Sequence, residues 1–287
     1  MAHVKNIMLS PRAAVKWIVR NRKEDAEKFV KDFNLSAKCT TPSQVESVYN
    51  DPEVNAVLIC SPTNTHQPII IQALNAEKAV FCEKPITADI ETTKACYELA
   101  EKKKRPLFCA FHRRFDPGFR EVWEKVRNKS LGKTRVIKTT SRDVQPPPLS
   151  YIKTSGGIIY DSTIHDLDLA MWLSGSMPKT VYVSGSAFDP DVAKCNDLDQ
   201  VLVTIKFENG VNAVVDNGRV AVYGYDQRLE VLCDKGMLNV DNHLTSLVSY
   251  HGGQDTSVPR IDSHYSTRYP QAYANELEHF LDVLEGR

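Results

Sequence analysis

The sequence of 287 residues lacks three features that would each identify a class of protein. Basic and acidic residues number 36 each, and this zero net charge argues against nucleic-acid and membrane-surface binders, which carry a basic excess. No apolar stretch reaches the length of a signal-peptide core or a membrane span. The seven cysteines form no CxxC pair and lie singly in apolar runs, which predicts buried free thiols in a reducing compartment. We therefore predict a cytoplasmic protein whose partner is a small molecule.

Glycine is also missing from a large part of the chain. No glycine precedes Gly118. A glycine-rich loop that cradles phosphate groups in front of a helix is therefore absent from that part of the sequence.

The first part of the chain alternates between apolar runs and helical patterns. Residues 54–60 form a continuous apolar run, which is typical of a parallel strand buried on both faces. Repeated strand–helix units predict a parallel sheet flanked by helices. The other predicted strands are 13–19, 79–82 and 107–111, and the predicted helices are 23–33, 45–49, 68–76 and 89–103.

The pattern changes after residue 115. Runs rich in β-branched residues follow one another, and Asn209-Gly210 between two of them is a strong hairpin signal. The second part is therefore predicted to be mainly an antiparallel sheet with a few helices. The predicted strands are 135–140, 180–186, 200–207, 211–215, 228–232 and 237–240, and the predicted helices are 119–126, 164–173 and 270–284.

The densest group of polar residues lies between Gly156 and Asp168. If residues 162–173 are helical, Asp161 and His165 lie one above the other, with Asp168 on the next turn. The three side chains would converge at a helix N-terminus, which favours negative charge. The pattern fits a ligand site, an N-cap with a well-paired core histidine, or a metal site. We predict no metal, because no second pair of histidines accompanies the group.

Three further groups follow predicted parallel strands at the end where such sheets bind ligands. Glu83-Lys84-Pro85 offers a functional lysine, or a solvated ion pair before a turn. The segment from Cys60 to His66 offers polar side chains to a nucleotide, or simply makes a turn. Arg113 and Arg114 would bind an anion or, as we favour, pair with acidic residues at the surface. The histidines without a partner pattern, expected at the surface, are His3, His243, His251 and His264.

Taken together, these motifs resemble the glucose-fructose oxidoreductase/inositol dehydrogenase family, often called Gfo/Idh/MocA. The resemblance rests on Glu83-Lys84-Pro85 and on Gly156-Gly157-x-x-x-Asp161-x-x-x-His165-x-x-Asp168. The segments 113–117 and 63–66 also fit, so that the resemblance covers nearly the whole chain and is closest to inositol 2-dehydrogenases. It implies an α/β fold with a Rossmann-like NAD(P)-binding domain at 1–115. A second α/β domain at 116–287 would carry a large open sheet, often used for oligomerisation, so a homo-oligomer (dimer or tetramer) is expected.

The resemblance also implies a reaction in which a secondary alcohol of a polyol or sugar passes hydride to NAD or NADP. Inositol is the first expected substrate, and an aldose or a diol the next. By position, Lys84, Asp161 and His165 would be catalytic: His165 takes the hydroxyl proton and Lys84 stabilises the charge on that oxygen. Asp161 would orient the imidazole or bind a neighbouring hydroxyl. The residues expected at the cofactor are Arg20, Cys60, Ser61, Pro62, Thr63, His66, Glu83, Lys84 and Arg113.

The sequence departs from the family's first strand and its Gly-x-Gly-x-x-Gly loop. Residues 1–6 resemble the interior of the helix after that loop, and the end at Arg287 looks early. Strands 13–19 and 54–60 would then lack a neighbour and expose backbone edges. We expect either an incomplete sequence of a working dehydrogenase, which we favour, or a short protein that holds the cofactor poorly and acts as a binding or regulatory subunit.

The residues after the strand at 13–19 bear on the choice of cofactor. The family often places an acidic residue there for the adenosine ribose, whereas this chain has Arg20-Asn21-Arg22. Because arginine suits a 2′-phosphate, we predict that NADP is at least tolerated. The alternative is that both arginines are only solvated.

Overall fold

The computed structural model describes residues 2–287; Met1, the first residue of the segment that resembles a helix interior, lies outside the described residues. The α-helices are α1 (Ala2–Leu9), α2 (Lys23–Asp32), α3 (Glu46–Tyr49), α4 (His66–Asn75), α5 (Ile90–Lys103), α6 (Pro117–Arg127), α7 (Leu149–Ile152), α8 (Ile164–Ser174), α9 (Pro190–Lys194), α10 (Tyr265–Arg268) and α11 (Pro270–Leu284). The strands are β1 (Trp17–Val19), β2 (Lys38–Thr40), β3 (Ala56–Ile59), β4 (Ala79–Glu83), β5 (Leu107–Ala110), β6 (Thr134–Arg142), β7 (Pro178–Ser186), β8 (Gln200–Phe207), β9 (Asn212–Gly218), β10 (Asp226–Cys233), β11 (Gly236–Val240), β12 (Tyr250–His251) and β13 (Thr256–Ser257).

The chain divides into two compact units. The first holds the described residues up to Ala110 together with Tyr273–Arg287, and the second holds Phe111–Ala272. This division differs from the predicted boundary at residue 115 because most of α11 packs in the first unit, where Phe280 lies against Phe81 and Phe108. The periodicity of α11 identifies its apolar face but not the sheet that the face covers.

The core of the first unit is built on both faces of β4. Strands β3, β4 and β5 form a parallel sheet in which Phe81 lies opposite Leu58 and Phe108. Val80 and Cys82 face a cluster from α4 and α5, whereas Ala79 and Phe81 face α11. The predicted strand at 79–82 is thus confirmed as part of a parallel sheet, and its side chains are buried on both faces.

Strands β1 and β2 form a separate parallel pair. Within residues 2–287, β1 pairs only with β2 and β3 pairs only with β4, so each keeps one edge without a strand partner. Such an edge covers its side chains less completely, and β3 is only partly buried except at Ile59. The predicted burial of the 54–60 run on both faces is therefore wrong for most of this strand.

The second unit is organised around a six-stranded sheet in the order β11-β10-β6-β9-β8-β7. The β6–β9 pair is parallel and the other pairs are antiparallel. Residues of β8 alternate strictly, with Val201, Val203 and Ile205 buried and their neighbours exposed. The predicted fold class, a Rossmann-like parallel sheet followed by a largely antiparallel one, is confirmed. The predicted Asn209-Gly210 hairpin is also confirmed, with a positive φ of 88° at Gly210.

Two predictions drawn from absences concern the whole chain. None of the helices in residues 2–287 has the length and hydropathy needed to cross a membrane. The cysteines are free as predicted, but Cys60 is exposed, because it follows the last residue of β3. Only Cys82, Cys96 and Cys233 are buried. A cytoplasmic location stays a prediction.

Candidate functional site

Strand β4 ends in a short polar network that includes a buried histidine. Glu83 Oε1 lies 2.7 Å from His3 Nε2, and Glu83 Oε2 accepts a hydrogen bond from the Lys84 amide at 3.3 Å. His3 is only 6% exposed and meets the rings of Phe81 and Tyr273 edge to face. The prediction of a surface histidine is therefore wrong for His3. Its partner lies 80 residues away, a separation that no local pattern reveals.

A second buried carboxyl group lies close to this network. Glu276 of α11 is fully buried, and neither carboxyl oxygen has a hydrogen-bond partner among the described residues. Burial, together with the negative charge of Glu83, raises the pKa of Glu276 well above its usual value. Both effects favour the protonated, neutral form of this carboxyl group.

The loop after β3 is fastened to the loop after β4 by His66. Its ring is 1% exposed, with Nδ1 2.9 Å from the Pro85 carbonyl oxygen and Nε2 2.9 Å from that of Ser61. Both ring nitrogens are thus engaged inside the protein. The Ser61 hydroxyl lies 2.5 Å from that of Thr65. Among the residues expected at a cofactor, Cys60 and Pro62 are exposed, and Ser61, Thr63 and Lys84 are partly exposed.

The two arginines after β1 have different surroundings. The Arg20 guanidinium lies over the Phe29 ring, 4.5 Å from its centre. Arg22 forms two hydrogen bonds with Asp25, at 2.8 and 2.7 Å, on the exposed face of α2. Both side chains are exposed, so the structure leaves both the cofactor and the solvated interpretation of these residues open.

In the second unit, the predicted helix at 164–173 is confirmed, and the segment that carries Asp161 in front of it is a π-helical turn. Residues Ile159–Thr163 form a π-helical turn, and α8 begins only at Ile164. The Thr163 hydroxyl donates to the Ile158 carbonyl oxygen at 3.2 Å and closes this wider turn. π-Helical turns occur often at functional sites. No sequence signal distinguishes such a turn from a regular helix start.

Asp161 and Asp168 of this segment bind different partners. Asp161 accepts hydrogen bonds from the Tyr151 hydroxyl at 2.8 Å and from Arg219 Nη1 at 3.3 Å. Asp168 instead forms a bidentate pair with Arg114, at 2.8 and 2.5 Å. The prediction is therefore wrong for Asp168, whose charge is taken up by an arginine. The expected pairing of Arg114 with an acidic residue is confirmed.

The neighbouring arginine is buried rather than placed at the surface. Arg113 is 4% exposed, and its Nη1 donates to Ser141 at 2.8 Å and to Asp166 at 3.1 Å. Asp166 is fully buried and also accepts from the Ser141 hydroxyl at 2.6 Å and the Asn217 amide at 3.3 Å. The surface pairing favoured for Arg113 is wrong, because its partner belongs to the buried face of α8. Sequence analysis missed Asp166, which lies between the motif residues 165 and 168.

A further buried arginine, Arg219, also escaped the sequence analysis. It is fully buried, and its Nη2 lies 3.2 Å from Asp197 Oδ2 while Nη1 contacts Asp161. Asp197 Oδ1 in turn accepts the Ile158 amide at 2.9 Å. A Cβ on Gly157, where φ is +86°, would lie 2.9 Å from that oxygen, so the glycine allows this approach.

His165 lies partly exposed at the start of α8. The centre of its ring is 4.9 Å from that of His112 and 6.2 Å from that of Phe111, both with edge-to-face geometry. His112 is 5% exposed and packs in the same way on Tyr269. Asp161 lies in the π-helical turn, and His165 lies four residues later in the first turn of α8. Residues 2–287 hold no group of three or more His, Cys, Asp or Glu suited to a metal ion.

The first unit offers donors for part of a nicotinamide dinucleotide. Ser61, Thr63 and Lys84 follow β3 and β4 at the carboxyl edge of the parallel sheet, where doubly wound sheets bind nucleotides. Their hydroxyl and ammonium groups fit the ribose and nicotinamide amide of such a cofactor. Residues 2–110 hold no glycine, so these residues provide no glycine-rich turn for its phosphates.

Comparison with known proteins covers both units. Two family models match: an oxidoreductase family with an NAD-binding Rossmann fold over residues 1–111, and the GFO/IDH/MocA C-terminal domain over residues 119–239. The chain is 36% identical over 285 residues to myo-inositol 2-dehydrogenase of Thermotoga maritima, covering 99% of this chain and 84% of that relative. It is 38% identical over 242 residues to inositol 2-dehydrogenase of Rhizobium meliloti, covering 84% and 73%. The match from residue 1 leaves the predicted loss of terminal segments without support.

Solved structures give the same result. The crystal structure of a probable dehydrogenase from Thermotoga maritima matches with a TM-score of 0.93 and 35% identity, over 99% of this chain and 85% of that one. The scyllo-inositol dehydrogenase of Lactobacillus casei with bound NAD(H) and scyllo-inositol matches with a TM-score of 0.89 and 25% identity, over 100% and 86%.

Proposed function

Since the chain belongs to the GFO/IDH/MocA family of NAD-binding oxidoreductases, we propose that it oxidises a secondary alcohol of a cyclic polyol, with inositol as the first candidate. The observation that carries the proposal is the placement of Asp161 in the π-helical turn and of His165 in the first turn of α8, with Tyr151 and Arg219 bound to the Asp161 carboxylate. The relatives named as inositol dehydrogenases support the polyol class of substrate.

The proposed reaction divides its tasks among three residues. A bound NAD would supply the acceptor for the hydride that leaves the carbinol carbon. His165 takes the hydroxyl proton, because a neutral imidazole is suited to accept a proton near pH 7. The Lys84 ammonium stabilises the negative charge that develops on the same oxygen. Asp161 binds a hydroxyl next to the reacting one and so sets the orientation of the ring.

The residues expected at the cofactor fall into two groups. We propose direct contact for the residues with exposed or partly exposed side chains: Arg20, Cys60, Ser61, Pro62, Thr63 and Lys84. His66, Glu83 and Arg113 act by positioning instead, because their polar atoms are engaged with Pro85, His3 and Asp166. NAD is the cofactor named for the family, and tolerance of NADP stays a prediction.

A substrate screen tests this function. Purified protein is incubated with NAD and a panel of inositol isomers, aldoses and acyclic diols, and NADH formation is followed by absorbance. We expect turnover of at least one inositol isomer and a loss of about 10³-fold in kcat for Lys84→Ala. The control is Lys94→Ala, which removes an exposed lysine that pairs with Glu91 on α5 and should change nothing. Wild-type protein that reduces NAD with no member of the panel contradicts the proposal.

One observation favours a second function, that of a binding or regulatory subunit. The first unit has no glycine among residues 2–110, and its β1 and β3 each keep an unpaired edge. We expect both features to weaken its binding of the dinucleotide phosphates. Titration of the chain with NADH, followed by fluorescence, separates the two functions. A Kd near or above about 1 mM, which corresponds to only about 4 kcal/mol, favours the subunit.

We also propose that the chain forms a homo-oligomer through the open face of the six-stranded sheet. Large apolar side chains are exposed there, with Leu202 48%, Val214 37% and Leu232 41% accessible. Strand β7, at the sheet edge, is exposed along nearly its whole length, including Tyr182. Apolar patches of this kind mark association surfaces. Sedimentation of wild-type protein should give a dimer or tetramer, and Leu202→Asp should shift it to the monomer.

A further inference from the structure

We infer that Arg219 is a positioning residue that holds the Asp161 carboxylate in place for the substrate. The inference rests on the proposed polyol oxidation and adds to it a residue that no catalytic motif contains. It follows from the register of two strands and from the partners of one buried guanidinium.

Arg219 lies just beyond the end of β9. Strands β6 and β9 are parallel, and Ser141 lies opposite Asn217. Both side chains contact Asp166 of α8. Arg219 follows Gly218, the last residue of β9, and its backbone amide donates to the Asp199 carbonyl oxygen at 2.8 Å. Asn217 therefore contacts Asp166, and Arg219, two residues later, contacts Asp161.

The residue type matches the task. The Arg219 guanidinium joins two carboxylates on separate segments, Asp161 in the π-helical turn and Asp197 after α9. A planar fork with several donors can serve both at once, whereas a lysine ammonium is a point charge on a flexible stem. The side chain is fully buried, so water does not compete for these contacts. The position of Asp161 is thus tied to an arginine that cannot itself move freely.

The same arginine couples Asp161 to the glycine turn in front of it. Asp197 receives the Ile158 amide and lies against Gly157, and it is held by Arg219 on its other oxygen. Removing the guanidinium would release both ends of the segment that carries Asp161. The Tyr151 hydroxyl would still donate to the Asp161 carboxylate.

The test compares Arg219→Gln and Arg219→Lys with a matched control. Arg142→Gln serves as that control, because Arg142 pairs with Asp216 on the neighbouring strand and points to the opposite face of the sheet. For Arg219→Gln we expect kcat/KM for the polyol to fall at least a hundredfold while the Kd for NADH is unchanged. Arg219→Lys should recover part of the loss, and Arg142→Gln should stay within threefold of wild type.

A double-mutant cycle separates positioning from general damage. If Arg219 acts through Asp161, adding Arg219→Gln to Asp161→Asn should reduce kcat/KM by less than a further threefold. Full additivity, or a folded Arg219→Gln with kcat/KM within threefold of wild type, overturns the inference. If Arg219→Gln does not fold, Arg219→Lys in the same cycle decides in the same way.

Hydrogen exchange keeps this test distinct from a test of the function. Without Arg219, the amides of residues 157–163 should exchange at least tenfold faster, whereas those of β8 should not change. Wild-type protein inactive on every polyol, with this exchange pattern intact, refutes the proposed function and leaves the structural part of the inference standing. Unchanged exchange at 157–163 refutes the inference itself.

Discussion

The two units hold their candidate residues in contrasting ways. In the second unit, Arg113 and Arg219 bind carboxylates of α8 and of the turn before it, so that charged side chains fix one another on a six-stranded sheet. In the first unit, the candidate residues lie on loops after short strands, the sheet is in two pieces, and the buried Glu276 carboxyl group has no hydrogen-bond partner within residues 2–287. The substrate side of the proposed site is therefore fixed by its own fold. The cofactor side is fixed less by its own fold, so binding of the cofactor should order its residues more.

The largest expected effect concerns the buried pair of the second unit. Asp166→Asn keeps the shape of the side chain but leaves the Arg113 charge buried and unpaired, which should lower the free energy of unfolding by about 3–5 kcal/mol. The control is Asp234→Asn, which breaks the ion pair between Asp234 and the exposed Arg135. This change should lower the free energy of unfolding by about 1 kcal/mol or less. Urea unfolding followed by circular dichroism measures both. Equal losses in the two variants would contradict the claim that the buried Arg113–Asp166 pair holds the second unit together more strongly than an exposed pair does.

The next effect concerns Glu276 and its dependence on pH. Because its pKa is raised in the folded state, the folded chain keeps a proton that the unfolded chain releases above a pH of about 4.3. Below that pH, Glu276 is protonated in both the folded and the unfolded chain, and the free energy of unfolding is not reduced. As the pH rises toward the raised pKa, the free energy of unfolding falls. The Glu276→Gln variant does not have this pH dependence. The difference between its free energy of unfolding and that of wild type should therefore increase by up to about 1.4 kcal/mol for each pH unit.

The measurement is urea unfolding of both proteins between pH 5 and pH 8. Glu278→Gln on the same helix is the control, because Glu278 is partly exposed and paired with Arg12. Its difference from wild type should not show the same upward slope. If the Glu276→Gln and wild-type curves run parallel, Glu276 is not held as a neutral acid.

The smallest effect concerns the choice of cofactor in the first unit. If Arg20 meets a 2′-phosphate, Arg20→Ala should lower the NADP-to-NAD ratio of kcat/KM by about fivefold, equivalent to about 1 kcal/mol. Arg22→Ala should change it less, because Arg22 is paired with Asp25. Steady-state rates with both cofactors give the ratios. An unchanged ratio for Arg20→Ala would favour the solvated interpretation.

Patterns with a local period were predictable from the sequence. The strand at 200–207 is rich in β-branched residues, and the helix at 270–284 has a repeating apolar face. Both appear with the predicted bounds. The paired partners of charged residues were not predictable in the same way. Arg113 and Asp166 are 53 residues apart, and His3 and Glu83 are 80 apart, so only the folded sheet brings them together.

The candidate site was predictable only in part, for the same reason. A motif at fixed spacing identifies Asp161, His165 and Lys84 as candidates. The π-helical turn at Ile159–Thr163 has no sequence signature that separates it from an α-helix, so the directions of Asp161 and Asp168 were misjudged. Arg219 has no motif, and its role depends on the parallel register of β6 and β9.

The most direct test of the proposed chemistry is the transfer of deuterium. An inositol deuterated at its ring carbons is incubated with NAD and the protein, and the reduced cofactor is analysed by mass spectrometry. We predict one deuterium in each reduced nicotinamide with wild-type protein, and formation of this deuterated product about 10³-fold more slowly with Lys84→Ala. Reduced cofactor without deuterium, or no reduced cofactor from wild-type protein, would contradict direct hydride transfer from a polyol carbon.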